Sequence, residues 1–74
     1  GWVEFRLGNL SEARRLLADA LQRRPDAEIA AHLGEVLWVL GESDLARAVW
    51  RQGLELDRRN RTLTETLRRL GVEP

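Results

Sequence analysis

Apolar positions recur along this chain at helical spacing. Ile29, Leu33, Val36, Leu37 and Leu40 follow the i, i+4, i+7, i+8 stripe that one face of an α-helix buries. Asp26 stands where an N-cap belongs, Glu28 lies in the first turn, and Gly41 follows the last apolar residue as a C′ glycine does. A helix over 27–40 is predicted. The next starts at Ser43 or Asp44 and runs through Leu45, Ala46, Val49, Trp50, Gly53 and Leu54 to about Leu56. The same spacing predicts a helix from Ser11 to about Arg24, closed by Pro25, after a short helix over 1–7 that ends at Gly8. Ser11 and Ser43 open helices and are read as caps. Leu63, Leu67 and Leu70 mark a last amphipathic helix stopped by Gly71. No segment alternates as a strand would. Turns of two to five residues join these helices, and connections that short make neighbours antiparallel.

A longer period overlies the helical one. At an offset of 33 residues Gly1 matches Gly34, Val3 matches Val36, Leu7 matches Leu40 and Gly8 matches Gly41. Ala13 matches Ala46, Arg14 matches Arg47 and Leu21 matches Leu54. Substitutions keep character, as with Phe5 for Trp38, Leu17 for Trp50 and Ala20 for Gly53. Most matched positions are small or apolar, which a packing constraint selects, and a period of this size means stacked helical units. Gly34 and Gly53 are therefore expected where two helices approach most closely, and Trp50 is expected in the core.

These residues resemble the tetratricopeptide repeat family, whose pattern runs Trp, two residues, Leu-Gly, two residues, Tyr, then Ala, three residues, Phe, and later Pro. Ala30 takes the Trp place, Leu33-Gly34 is intact and Leu37 stands for Tyr. Ala46 and Trp50 fill the Ala and Phe places, Gly53 the second small position, and Arg58 replaces Pro. The first unit keeps Gly1, Gly8, Ala13, Leu17, Ala20 and Pro25 but lacks the leading part of its first helix. The stretch from Pro25 to Trp38 also resembles the carboxy-terminal repeats of bacterial envelope proteins with many such units. Some of those are outer-membrane lipoproteins, and one subgroup looks like adaptors for a carboxy-terminal-processing protease. The resemblance implies an all-α, right-handed helix-turn-helix solenoid fragment with a C-terminal capping helix. It divides a single domain over 1–74 into a truncated first repeat (1–26), a second repeat (27–60) and a capping helix (61–74). It also implies a bacterial protein and leaves the compartment open between the cytoplasm and a periplasmic, outer-membrane-associated place. The chain opens at Gly1 without Met and is read as part of something longer.

Composition narrows the chemistry. The 12 basic residues are all Arg and are balanced by 12 Asp and Glu. A net charge of zero argues against a dedicated nucleic-acid or membrane-surface module. No apolar run approaches the roughly 18–20 residues that span a bilayer, so no direct membrane insertion of this segment is expected. Without Cys there is no disulfide scaffold, zinc ribbon or thiol nucleophile. His32 is the single histidine and is expected to be partly buried and bonded to a neighbouring carbonyl. No nucleophile accompanies it in its helix, and Glu28 and Glu35 could join it around a cation only by bending the helix. The glycines sit at helix ends or packing points rather than in a phosphate loop. No enzyme, metal or cofactor is expected.

An interaction surface is expected instead. Stacked helix pairs curve so that their first helices line the concave side. By resemblance the groove-facing places are Glu28, Ala31, Glu35 and Trp38 in the second unit, and Trp2, Phe5 and Arg6 in the first. Trp38 and the Trp2–Phe5 pair would anchor a protein or peptide partner, Glu28 and Glu35 would select basic residues, and Arg6 an acidic one. Residues 58–74 hold five Arg and two Glu, a solvated basic surface beside the acidic 27–40 helix. The alternative is a structural capping and self-association element without a ligand. About three repeats make an independent core, so a chain with fewer is expected to associate, as a homodimer.

Overall fold

The computed structural model describes residues 7–74, which form α1 (Leu7–Arg23), α2 (Ala27–Val39), α3 (Ser43–Leu56) and α4 (Arg61–Leu70). The fold is all-α, a helix-turn-helix repeat fragment of four described helices.

Local chemistry sets most helix ends. Asp26 is extended (φ −150°, ψ 130°), and its carboxylate accepts the Glu28 backbone N–H at 2.7 Å. Asn60 does the same for α4, accepting from the Leu63 N–H at 2.9 Å. At the other end of α2, Gly41 turns left-handed (φ +87°), and its N–H reaches the Trp38 carbonyl while the Glu42 N–H reaches that of Leu37. Gly71 (φ +68°) repeats this arrangement after α4, with the Val72 N–H on the Leu67 carbonyl and the Val72 side chain buried. These two positive φ values are why glycine stands at both stops.

Two caps expected from serine do not form. Ser43 is the first helical residue of α3, behind Glu42, and no side chain caps that end. Ser11 lies inside α1, which runs unbroken through Gly8. A glycine in a helix interior costs only about 1 kcal/mol, less than burying Leu10 returns. Leu10 is 7 % exposed, and with Arg14, Leu17 and Leu21 it continues the α1 stripe. The expected turn at Gly8 is thus absent, and the expected helix over 1–7 lies mostly outside the described residues.

Packing centres on α2, which contacts α1, α3 and α4. Its faces can do so because small residues let backbones approach. A methyl built on Gly34 would stand 2.5 Å from Cδ1 and Cε2 of Trp50, and closer still to Nε1. A methyl on Gly53 would stand 2.9 Å from both Ala30 Cβ and Leu63 Cδ2. Gly34 therefore admits the α3 indole onto the α2 backbone, and Gly53 lies where α2, α3 and α4 converge. Trp50 and Leu63 are fully buried. The Trp50 indole N–H donates to the Ala31 carbonyl at a long 3.4 Å, so its polar atom has a partner. In α1 the register-equivalent residues Ala13, Leu17 and Ala20 are only half-buried, with Leu17 packed against the core.

The two kinds of glycine behave oppositely on substitution. Gly34→Ala forces the Trp50 ring away and costs about 2–3 kcal/mol or more, at the upper end of overpacking. Gly8→Ala meets nothing within 4 Å among the described residues and gains about 1 kcal/mol, where a left-handed turn glycine would have lost stability. Urea titration followed by circular dichroism measures both. A Gly8→Ala variant less stable than the parent would restore the turn.

Candidate functional site

The first helices of a repeat array lie side by side, and α2 and α4 have that relation here. They run parallel: the Thr62 hydroxyl donates to Glu28 at 2.8 Å near their N-terminal ends, and Arg69 bonds to Glu35 near their C-terminal ends. Glu28 and Glu35 are two helical turns apart on one stripe, and so are Thr62 and Arg69. The two stripes meet as a polar seam. Both acidic residues expected to select a basic ligand are therefore engaged within the chain, although Glu28 remains exposed and Glu35 half-exposed.

The remaining expected site residues divide. Ala31 is 1 % exposed and wedged under α3, so its side chain is not on an open wall. Helical phase explains this correction: Ala31 precedes Gly34 by one turn and shares its Trp50-facing side. Trp38 is half-buried, its ring centroid 5.8 Å from that of Trp50 and tilted by 39°. The Arg47 guanidinium stands 5.5 Å from the centre of the Trp38 ring, a cation–π contact across the α2–α3 hairpin. Trp2, Phe5 and Arg6 lie outside the described residues. His32 departs from expectation: it is exposed, with Nε2 3.7 Å from the Glu28 carboxylate rather than bonded to a carbonyl. Its helix position, one residue before Leu33, turns it to solvent.

Two concavities flank the seam. One is a groove of about 300 Å³ lined by Leu10, Val36 and Val39, with Glu35 and Arg69 on its wall. Its lining is mostly apolar, and Val39 is 56 % exposed. The other, about 360 Å³, lies on the outward side of α4 among Arg59, Arg61, Thr64, Glu65 and Arg68. Reasoning from sequence missed Leu10, Val39 and the seam partners Thr62 and Arg69. A signal for the seam existed. Thr62 and Arg69 follow Glu28 and Glu35 by 34 residues, one repeat plus one residue.

A helix pair closed on small residues, followed by a third helix parallel to the first, defines a helical-repeat module of the stacking kind. Residues 27–52 match the family model for the tetratricopeptide repeat, and this stretch is such a repeat. A TPR repeat-containing protein of Pseudomonas aeruginosa is 60 % identical over 35 residues. That match spans 47 % of this chain and 6 % of the relative's length. No solved structure gives a significant match. Tetratricopeptide repeats are generally protein–protein interaction modules, and the family is typically non-catalytic. Among the described residues no helix is long and apolar enough to cross a membrane.

The seam and the core differ in what they contribute. Exposed ion pairs contribute under about 1 kcal/mol, so Arg69→Gln lowers stability only slightly, and less so in high salt. Trp50→Ala empties the centre of the hairpin and costs about 3–5 kcal/mol. Thermal melts of both variants at low and high ionic strength check the contrast.

Proposed function

We propose that this chain is a protein–protein interaction module that receives a peptide or helical segment of a protein partner on the side of its first helices. The observation that carries the reading is the apolar groove over Leu10, Val36 and Val39, open beside the Glu35–Arg69 pair. An exposed valine flanked by apolar neighbours and a charged wall offers both burial for an anchor and a rim that orients it. Trp38, half-buried one residue before Val39, supplies aromatic surface at the edge of the same helix. Glu28 and Glu35 retain enough exposure to attract a basic residue, and charges at a rim steer association more than they hold it. The division into a truncated repeat over 1–26, a repeat over 27–60 and a cap over 61–74 belongs to this proposal.

A second reading is self-association without an external ligand. It is favoured by α1, whose Ala13, Leu17 and Ala20 face is only half-covered beside the exposed Leu16. Such a face gains by covering itself with a second copy. Sedimentation separates the readings: Leu16→Glu, at an exposed position, converts a dimer to a monomer if α1 is the contact. A parent that stays monomeric at high micromolar concentration removes this second reading.

The binding test selects peptides from a displayed library on the 74-residue chain, then titrates a selected peptide against variants. Val39→Asp should abolish binding, and Trp38→Ala should weaken it by about 2 kcal/mol, as loss of an aromatic anchor does. Leu56→Ala, on the far side of α3, should leave it unchanged. Binding insensitive to both Val39 and Trp38 would overturn the groove assignment.

A further inference from the structure

The outward face of α4 carries a charge pattern that the interior of the fold already explains. On α2 the stripe Glu28, His32, Glu35 lies beside α4. Moved by one repeat of 33 residues, those positions become Arg61, Glu65 and Arg68, which line the cleft on the outward side of α4. The register holds in the core as well, since Ala30, Leu33 and Gly34 are buried and so are Leu63, Thr66 and Leu67. The stripe that receives a helix on α2 is thus reproduced on α4, with each acid replaced by Arg and the histidine by Glu.

Three further observations bear on what would lie there. Arg14, Arg15, Arg23, Arg47 and Arg69 each pair with a carboxylate, whereas Arg59, Arg61 and Arg68, like Arg24, Arg51 and Arg58 elsewhere, pair with none among the described residues. All three are exposed around one cleft, with Arg59 at its foot. Arg61 opens α4, where the helix dipole adds to the positive field. Uncompensated guanidinium groups two turns apart, with a carboxylate between them, present the sequence plus, minus, plus at helical spacing. The complementary surface is a helix bearing carboxylate, cation, carboxylate at i, i+4 and i+7.

From this we infer that the Arg61–Glu65–Arg68 stripe docks a single helix of a partner protein with that acid–base–acid stripe, laid parallel to α4 as α4 lies on α2. The partner contributes one helix rather than a complete hairpin. Leu67 stands where α2 has Gly34, and a leucine there leaves no room for an indole like that of Trp50. Each partner carboxylate would take a charge-assisted hydrogen bond from a guanidinium, with Arg59 reaching the first of them. A nucleic acid fits less well, because no aromatic side chain lies among these arginines to stack a base.

The inference deepens the interaction-module reading and uses a different surface from the groove over Val39. Its test uses an alanine-based helical peptide with Glu, Lys and Glu at i, i+4 and i+7, labelled and titrated against the 74-residue chain by fluorescence anisotropy. Binding should weaken with salt and fall about tenfold in the Arg61→Gln, Arg68→Gln variant, the loss expected of two exposed charge pairs. Arg51→Gln, on α3, should change nothing. The Arg61→Glu, Glu65→Lys, Arg68→Glu variant should prefer a Lys–Glu–Lys peptide, a gain that a merely unfolded variant cannot show. Equal binding of a peptide with the same charges scattered around its helix would overturn the inference. So would tighter binding of a single-stranded oligonucleotide, binding of inorganic phosphate alone, or indifference to Arg61 and Arg68. A groove peptide that depends on Val39 and Trp38 but not on Arg61 or Arg68 leaves the broader reading standing.

Discussion

The contact between Gly34 and Trp50 is the constraint from which the rest of the structure follows. Two helices come only as close as their largest facing side chains allow. With no side chain at Gly34, the indole of α3 lies directly on the backbone of α2, fully buried. That closeness brings the indole N–H to the Ala31 carbonyl, without which a buried donor would be left unpaired. It also sets the height at which Gly53 meets Ala30, and there Leu63 of α4 enters the same junction. Three helices are held in register by two missing side chains. Trp38 then packs on the outer edge of this arrangement, beside Trp50 and under Arg47.

One position of α4 departs from that pattern. Helix α4 sits parallel to α2 and buries the register-equivalent positions, so it occupies the place of another unit's first helix. Leu67 in the place of Gly34 fills the space that a following second helix would use, and the Gly71–Val72 stop closes the helix four residues later. The outer face of α4 is polar, with Arg61, Glu65 and Arg68 exposed. The same residues give that face a definite charge order.

The two proposed surfaces differ in the physics they offer. The groove over Leu10, Val36 and Val39 offers apolar burial, with strength set by how much surface an anchor removes from water. The outward stripe of α4 offers charge, with strength that falls as salt rises. Between them the Glu28–Thr62 and Glu35–Arg69 contacts line the seam along which the two first helices run parallel.

What the sequence by itself determined is local. The bounds of α2, α3 and α4 follow from Asp26, Gly41 and Gly71 and from apolar periodicity, because caps and turns depend on residues within one or two turns of each other. The repeat register likewise identifies Gly34, Gly53 and Trp50 as packing positions, since small and bulky residues at fixed offsets have few other uses. Tertiary structure alone decided the matters that depend on distance through space. Gly8 lies within α1 and Leu10 is buried, an arrangement that no local preference encodes. Ala31 is buried and His32 exposed because successive residues of a helix differ by about 100° in direction, so neighbours in sequence part company at a packed face. Glu28 and Glu35 bond to Thr62 and Arg69 because α4 lies parallel to α2 at side-chain reach, and that placement was set by the glycines at the centre of the hairpin.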